Sequence, residues 1–386
     1  MACSEQKREL LRCRVCGTEW PAARPLWRCA CGGLLDLEFQ AGFDKDAIRH
    51  GPPTLWRYAD ALPLRMEAKR ITLGEGYTPL VPFVIGSRTV ELKLDHLFPT
   101  GSYKDRGAVV MINKVRDLGV KRVVEDSSGN AGCAVAAYCA AAGVRCEVYV
   151  PAATTPAKLI QIRAMGAYLH LVPGSREDTA AAAMTAAGDA YYASHSWNPY
   201  FFHGTKTIAY EIWEQSHWRA PDTMVVPAGN GTLLLGAYIG FKDLLAAGMI
   251  ERLPRLIAIQ AAACDPLVQA FERGGKEPAV VTGRATLAEG IAIAAPVRGA
   301  QILEAVRDTG GRCIAVEEEE IRWWLLEMGR RGYFVEPTAA VVMAGLQRYL
   351  GGTGADESVT AILTGHGLKS AARIGSILEQ SGASHL

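Results

Sequence analysis

KRVVEDSSGNAGCAVAAYCAAAGVRCEVYV, residues 121–150, decides the fold class. Residues 121–125 form a short apolar run that suits a strand. Residues 131–142 are small and helix-compatible, and Gly143 stands where such a helix would stop. Residues 144–150 alternate like a second strand. Asp126-Ser127-Ser128-Gly129-Asn130-Ala131-Gly132 joins the first strand to the helix. A strand, loop, helix and strand in this order make the repeating unit of a parallel α/β sheet.

The rhythm continues outward. Residues 156–165 read as a helix with Pro156 in the first turn and Gly166 past the end. Residues 167–172 read as a strand and 176–191 as an Ala-rich helix. It resumes with a strand at 223–227 (TMVVP), a helix after Gly231, a strand at 255–260 and a late strand at 358–363 (SVTAIL). Residues 51–90 are a proline-containing lead-in. There is no fixed-period repeat and no low-complexity linker.

A chain of 386 residues is long enough for two or three domains. The hydrophobic fraction of 49% supplies more than one core. With 41 basic and 40 acidic residues the formal charge is +1, which argues against nucleic acid as a partner. The N-terminus lacks an apolar signal core and no run approaches a membrane span, so a cytoplasmic enzyme is expected.

Of the ten cysteines, Cys13, Cys16, Cys29 and Cys31 cluster, and Cys3, Cys133, Cys139, Cys146, Cys264 and Cys313 are scattered. Scattered thiols fit a reducing compartment. The clustered ones form a Cys-x2-Cys pair and a Cys-x-Cys pair, with Gly17, Gly32 and Gly33 permitting tight turns. Residues 8–40 therefore read as a separate miniature unit. Its thiolates suit a closed, structural tetrahedral zinc, although the second pair is one residue short. Reduced core thiols without metal are the alternative.

Chemistry is expected in the loops at the carboxyl ends of strands. Pro99-Thr100-Gly101-Ser102-Tyr103-Lys104-Asp105-Arg106-Gly107 lies between a strand-like ELKLD and a helix-like AVVMINKV. A lone loop lysine is usually solvated. In a pocket flanked by hydroxyls, it can form an imine with an aldehyde cofactor and carry protons. Residues 126–132 can turn backbone amides toward an anion, and equally fit a plain capped turn. Gly229-Asn230-Gly231-Thr232-Leu233 suits a phosphate at a helix start. It is neither a dinucleotide fingerprint nor a P-loop. In Thr364-Gly365-His366-Gly367-Leu368-Lys369 the threonine can face a ring nitrogen. His366 is either a turn residue or a general acid.

In this order, the segments PTGSYKDRG, SSGNAG, GNGTLLLG and TGHGLK resemble the tryptophan-synthase-β superfamily of pyridoxal 5′-phosphate (PLP) enzymes, fold type II, and within it the threonine synthase branch. GTKTIAYEIWEQ and VEPTAAVVMAGL look like further family segments. The cysteine module resembles the zinc ribbon of threonine synthase-like proteins.

The resemblance implies two parallel-sheet domains flanking a cleft, plus the ribbon. Residues 51–107 and 207–386 would form the large PLP-binding domain and 108–206 the small one. Lys104 would form the Schiff base and move protons, and Asn130 would bond the cofactor's phenolic oxygen. Gly229, Asn230, Gly231, Thr232 and Leu233 would hold its phosphate, and Thr364 would meet its ring nitrogen. Thr100, Ser102, Ser127 and Ser128 would lie near the substrate. A threonine does not force the ring to be protonated, which favours loss or replacement of a leaving group. A homodimer is the family default.

One departure stands out. Threonine synthases often carry an Asn-Ser pair followed by an arginine for the phosphate of O-phosphohomoserine. Here His195 takes the asparagine's place, Ser196 keeps the serine and Phe201 takes the arginine's place. A ring cannot replace a guanidinium on phosphate. Lys206 or a histidine is a candidate for the missing charge. Two enzymatic readings follow: threonine synthesis from O-phosphohomoserine, or elimination or replacement on another small β-substituted amino acid. A nucleic-acid-binding zinc ribbon is the non-enzymatic reading, and the neutral charge opposes it.

Overall fold

The computed structural model describes residues 9–65 and 69–380. Cys3, residue 8 and residues 381–386 lie outside that range. The strands are β1 (Leu10–Cys13), β2 (Glu19–Pro21), β3 (Leu35–Glu38), β4 (Leu80–Ile85), β5 (Arg88–Lys93), β6 (Arg122–Glu125), β7 (Arg145–Pro151), β8 (Tyr168–Val172), β9 (Tyr191–Tyr192), β10 (Thr223–Pro227), β11 (Arg255–Ala261), β12 (Arg312–Val316) and β13 (Val359–Ile362).

The chain forms two compact units. One holds the described residues up to Gly76 together with Lys104–Thr207, and the other holds Tyr77–Tyr103 and the described residues from Ile208 on. The first contains a parallel sheet of order β8-β7-β6-β9 and an antiparallel one of order β2-β1-β3. The second contains a sheet of order β12-β11-β10-β13-β5-β4, parallel except for the edge strand β4. Its central strands β10 and β13 are buried throughout, as parallel strands covered on both faces must be.

The α/β rhythm is therefore present in both units, with three differences from the sequence reading. The Ala-rich helix runs only Arg176–Ala186. It starts at a capping box of Ser175 and Asp178 and gives way at Gly188 to β9, which joins the sheet beside β6. The described residues of 51–76 belong to the first unit. Leu55, Leu62, Leu64 and Ile71 share its core, and Asn113 bonds the Ile71 backbone in both directions at 2.9 and 3.0 Å. Nor is the cysteine module separate. Its Leu11, Leu35, Leu37 and Trp27 belong to that same core, because three short strands cannot bury a core alone.

In the first unit, the helix Lys104–Asp117 is buried from Asp105 to Val115. It meets the short helix Pro199–Thr205 at two glycines. A Cβ on Gly107 would sit 2.3 Å from the Phe201 ring, and one on Gly204 would sit 2.1 Å from the Arg106 carbonyl oxygen. Only glycine permits this approach.

Candidate active site

The first unit carries the lysine. Lys104 opens its helix, half-buried, with its Nζ 5.7 Å from the centre of the Phe201 ring. Phe201 is completely buried and fills the space that Gly107 leaves. The His195 ring stands edge-on to Phe201 at 6.1 Å, and His195 Nδ1 lies 3.2 Å from Glu125 Oε1. Glu125 ends β6 and is buried, and its Oε2 has no partner among the described residues.

Burial, then the adjacent Asp126 carboxylate, pushes Glu125 well above its ordinary value. Burial, then the charges of Lys104 and Arg176, pushes His195 well below its own. Both shifts favour the uncharged forms of the pair. Arg176 is engaged with Asp126 at 2.8 Å.

Ser127, Ser128 and Asn130 are half-buried where β6 turns into the helix Asn130–Ala142. The turn is tight. Ser127 Oγ accepts from the Gly129 amide at 3.2 Å, and a Cβ on Gly132 would be 1.9 Å from the Ser127 carbonyl oxygen. Ser196 is buried, its hydroxyl 3.2 Å from that of Ser194. Lys206 is buried with its Nζ 4.8 Å above Phe39, and burial followed by the Lys206 charge pushes His203 well below its ordinary value.

The second unit carries the cradle. Buried β10 leads through Gly229, Asn230 and Gly231 into the helix Thr232–Ala246, in which Thr232 and Leu233 are buried. Gly231 has φ 70°, and a Cβ there would lie 2.2 Å from Ile302. No side chain caps this helix start, which leaves its first-turn amides without a side-chain acceptor and suits an anion.

Thr364 follows β13. Its hydroxyl is buried without a partner among the described residues, as is that of Ser102. The segments holding them are tied together. Ser102 bridges Gly365, the Tyr103 amide donates to the Thr364 carbonyl at 3.0 Å, and Lys369 Nζ donates to the carbonyl of buried Thr100 at 3.0 Å. His366 is held in its turn by accepting from the Leu368 amide at 3.2 Å.

Three groups escaped the sequence reading. Tyr103 meets Thr232 hydroxyl to hydroxyl at 2.7 Å, and Glu125 partners His195. Glu336 donates its amide to the Gly365 carbonyl at 2.9 Å, and its carboxylate occupies the space a Gly365 Cβ would need. The flanking motifs signalled Tyr103. Nothing local signals Glu125 or Glu336.

Residues 71–365 match the family described as pyridoxal-phosphate dependent enzyme. The chain belongs to that family. It is 35% identical to a threonine synthase of Methanocaldococcus jannaschii, over 93% of each chain. It is 34% identical to a threonine synthase of Mycobacterium tuberculosis, over 82% of this chain and 89% of the other. Among solved structures it is similar to the processed form of threonine deaminase isoform 2 from Solanum lycopersicum, with TM-score 0.68, 19% identity and coverage of 89% and 91%. Maize serine racemase follows at TM-score 0.67 and 21% identity, covering 80% of this chain and 94% of that one. These last two likenesses concern the fold.

The residues fit the family's cofactor. The cradle brings backbone amides and no carboxylate, the buried Thr364 hydroxyl wants a partner, and Lys104 supplies an amine.

In the cysteine cluster the Sγ atoms of Cys13, Cys16, Cys29 and Cys31 all lie within 4.8 Å of one another. Cys13–Cys31 is 3.5 Å and Cys16–Cys29 is 3.7 Å. Thiolates about 2.3 Å from a tetrahedral zinc stand roughly 3.8 Å apart, so the cluster has the size of a zinc site. No helix among the described residues is long and apolar enough to cross a membrane.

Proposed function

We propose that this enzyme is a threonine synthase, converting O-phosphohomoserine and water to threonine and phosphate. The observation that carries this reading is the 35% identity to a threonine synthase over 93% of each chain. The cofactor supplies an electron sink for negative charge on the substrate's carbons.

Lys104 is the covalent attachment point and moves protons at the substrate carbons. Asn130 bonds the cofactor's phenolic oxygen. Gly229, Asn230, Gly231, Thr232 and Leu233 take its phosphate, and Thr364 donates its hydroxyl to the ring nitrogen without charging it. Thr100, Ser102, Ser127, Ser128 and Ser196 orient the substrate. Phe201 excludes water beneath the Lys104 amine.

Phe201 no longer favours a non-phosphorylated substrate by itself. Its ring is fully buried and packed on Gly107, so helix packing accounts for an aromatic residue there. Zinc on Cys13, Cys16, Cys29 and Cys31, a homodimer and a cytoplasmic location belong to the same reading. Cys139, Cys146, Cys264 and Cys313, which form no disulfide among the described residues, support the last.

The test is a substrate panel on the PLP-loaded enzyme. Stoichiometric phosphate and threonine from O-phosphohomoserine are expected. Ammonia and keto acid from serine or threonine, with no phosphate release from O-phosphohomoserine, would replace this reading by an ammonia-lyase.

A further inference from the structure

The short helix Pro199–Thr205 has two faces with different neighbours. Phe201 and Gly204 press on the lysine-bearing helix, through Gly107 and the Arg106 carbonyl. Tyr200 and His203 point to the cysteine ribbon. The Tyr200 hydroxyl donates to the Ala22 carbonyl at 3.0 Å, and His203 bonds the Leu37 backbone and stands edge-on to Phe39 at 6.2 Å.

The contact extends upstream. Trp27, in the loop between Cys16 and Cys29, meets Tyr192 edge-on at 4.8 Å and Trp197 at 5.7 Å. The ribbon thus touches residues 192, 197, 200 and 203, on either side of Ser196 and Phe201. Cys29 sits two residues after Trp27, and its amide and carbonyl close the turn with Gly33 and Gly32 at 2.9 Å each. Whatever clamps the cysteines therefore fixes the Trp27 loop.

We propose that the cysteine ribbon is a positioning element for the substrate wall. Its metal-clamped loop, through Trp27 and the Ala22 and Leu37 carbonyls, sets where Ser196 and Phe201 stand relative to Lys104. Trp27 and Tyr200 are positioning residues. The proposal rests on the reading that residues 195–201 border the substrate and that the thiolates hold zinc. A ribbon serving only the general stability of the unit would loosen all of it together. A buttress loosens residues 191–205 first.

The test uses the full-length, PLP-loaded enzyme and its Trp27→Phe, Tyr200→Phe and Cys16→Ser variants. Zinc content, amide hydrogen exchange, cofactor absorbance and steady-state kinetics are measured on each. Exchange in 191–205 is expected to accelerate about tenfold in Trp27→Phe, the scale of a lost aromatic edge contact, while residues 229–246 and the absorbance stay unchanged. KM should rise about five- to tenfold with kcat within about twofold. Cys16→Ser should lose zinc and show the same local pattern.

Normal exchange in 191–205 after zinc loss and in both aromatic variants overturns the proposal. So does a uniform loss of protection over residues 9–76 and 104–207. The exchange measurement needs no substrate, so it decides the buttress even if the substrate panel rejects threonine synthesis. A zinc-free wild-type protein removes the metal clamp from the proposal, and the aromatic variants then decide the ribbon's role.

Discussion

The phosphate cradle of the second unit and the lysine wall of the first are built on different principles. The cradle is backbone: Gly229 and Gly231 are glycines because a Cβ would lie 2.9 Å from the Ile291 Cα or 2.2 Å from Ile302. The wall is side chain: Lys104, Phe201, His195 and Glu125 come from three separate stretches. Backbone sites depend on where amides point, and they tolerate little change in conformation. Side-chain sites depend on partners brought from far away, and single replacements can retune them.

The sharpest break in the comparison is at Lys104. Lys104→Ala leaves the cradle intact while removing the proposed covalent attachment point. Turnover should fall by about 10²–10⁴-fold, the range for losing a positioned proton carrier. The absorbance of the lysine-linked imine should vanish and give way to that of the unlinked aldehyde, while phosphate-dependent affinity for the cofactor persists. Unchanged absorbance would move the attachment point to another lysine.

The cradle should respond next. Gly231→Ala places a methyl group against Ile302 in a left-handed conformation, at a cost of about 1–3 kcal/mol. A lower urea midpoint and weaker PLP retention on dialysis are expected. The equivalent change at exposed Gly248, also at positive φ but with open space around it, should cost less. Equal losses would show that strain, and not the packing of the cradle, governs this loop.

The same difference explains what could be read in advance. Strand β10 and the glycines after it were legible because burial on both faces demands an apolar run, and the loop's close approach demands glycine. The turn before Asn130 was legible for the same reason. The Glu125–His195 pair was not, because it joins residues 70 apart and each looks ordinary locally. The packing of the stretch around Ile71 was not legible, because it rests on Asn113, a distant side chain bonding the Ile71 backbone. Strand β9 was hidden because two tyrosines carry too little pattern to outvote an alanine run. Phe201 was noticed for the arginine it replaces, while its packing on Gly107 emerged only in three dimensions.

A smaller effect isolates the wall's neutral pair. Unfolded, Glu125 releases its proton near its ordinary 4.5, and His195 releases its own near 6.5. In the fold, burial displaces Glu125 upward and His195 downward, so the carboxyl holds its proton longer and the imidazole gives its own up sooner. Below the first value the unfolded chain holds the extra proton, so the pair's contribution to stability rises with pH. Between the two values both states hold the same number and the contribution is flat. Above the second the folded chain holds the extra proton. Stability then falls toward the raised folded value of Glu125, by up to about 1.4 kcal/mol per pH unit. Glu125→Gln removes that decline. Urea unfolding of both proteins at rising pH should show the variant gaining on the wild type from the ordinary glutamate value of 4.5 upward. Parallel curves would mean that Glu125 is ionised in the fold.

The mildest change tests whether cradle and lysine are coupled through their hydrogen bond. Tyr103 precedes Lys104 directly, and its hydroxyl meets that of Thr232, the first residue of the cradle helix, at 2.7 Å. Tyr103→Phe keeps the ring and deletes this bond, worth about 0.5–1.5 kcal/mol. Because Thr232 Oγ1 can turn to the cofactor phosphate in the loaded enzyme, no buried orphan need remain. Cofactor affinity should weaken by about two- to tenfold with kcat nearly unchanged at saturating PLP. If kcat falls instead, Tyr103 acts on the lysine side, and the two regions are less separable than their construction suggests.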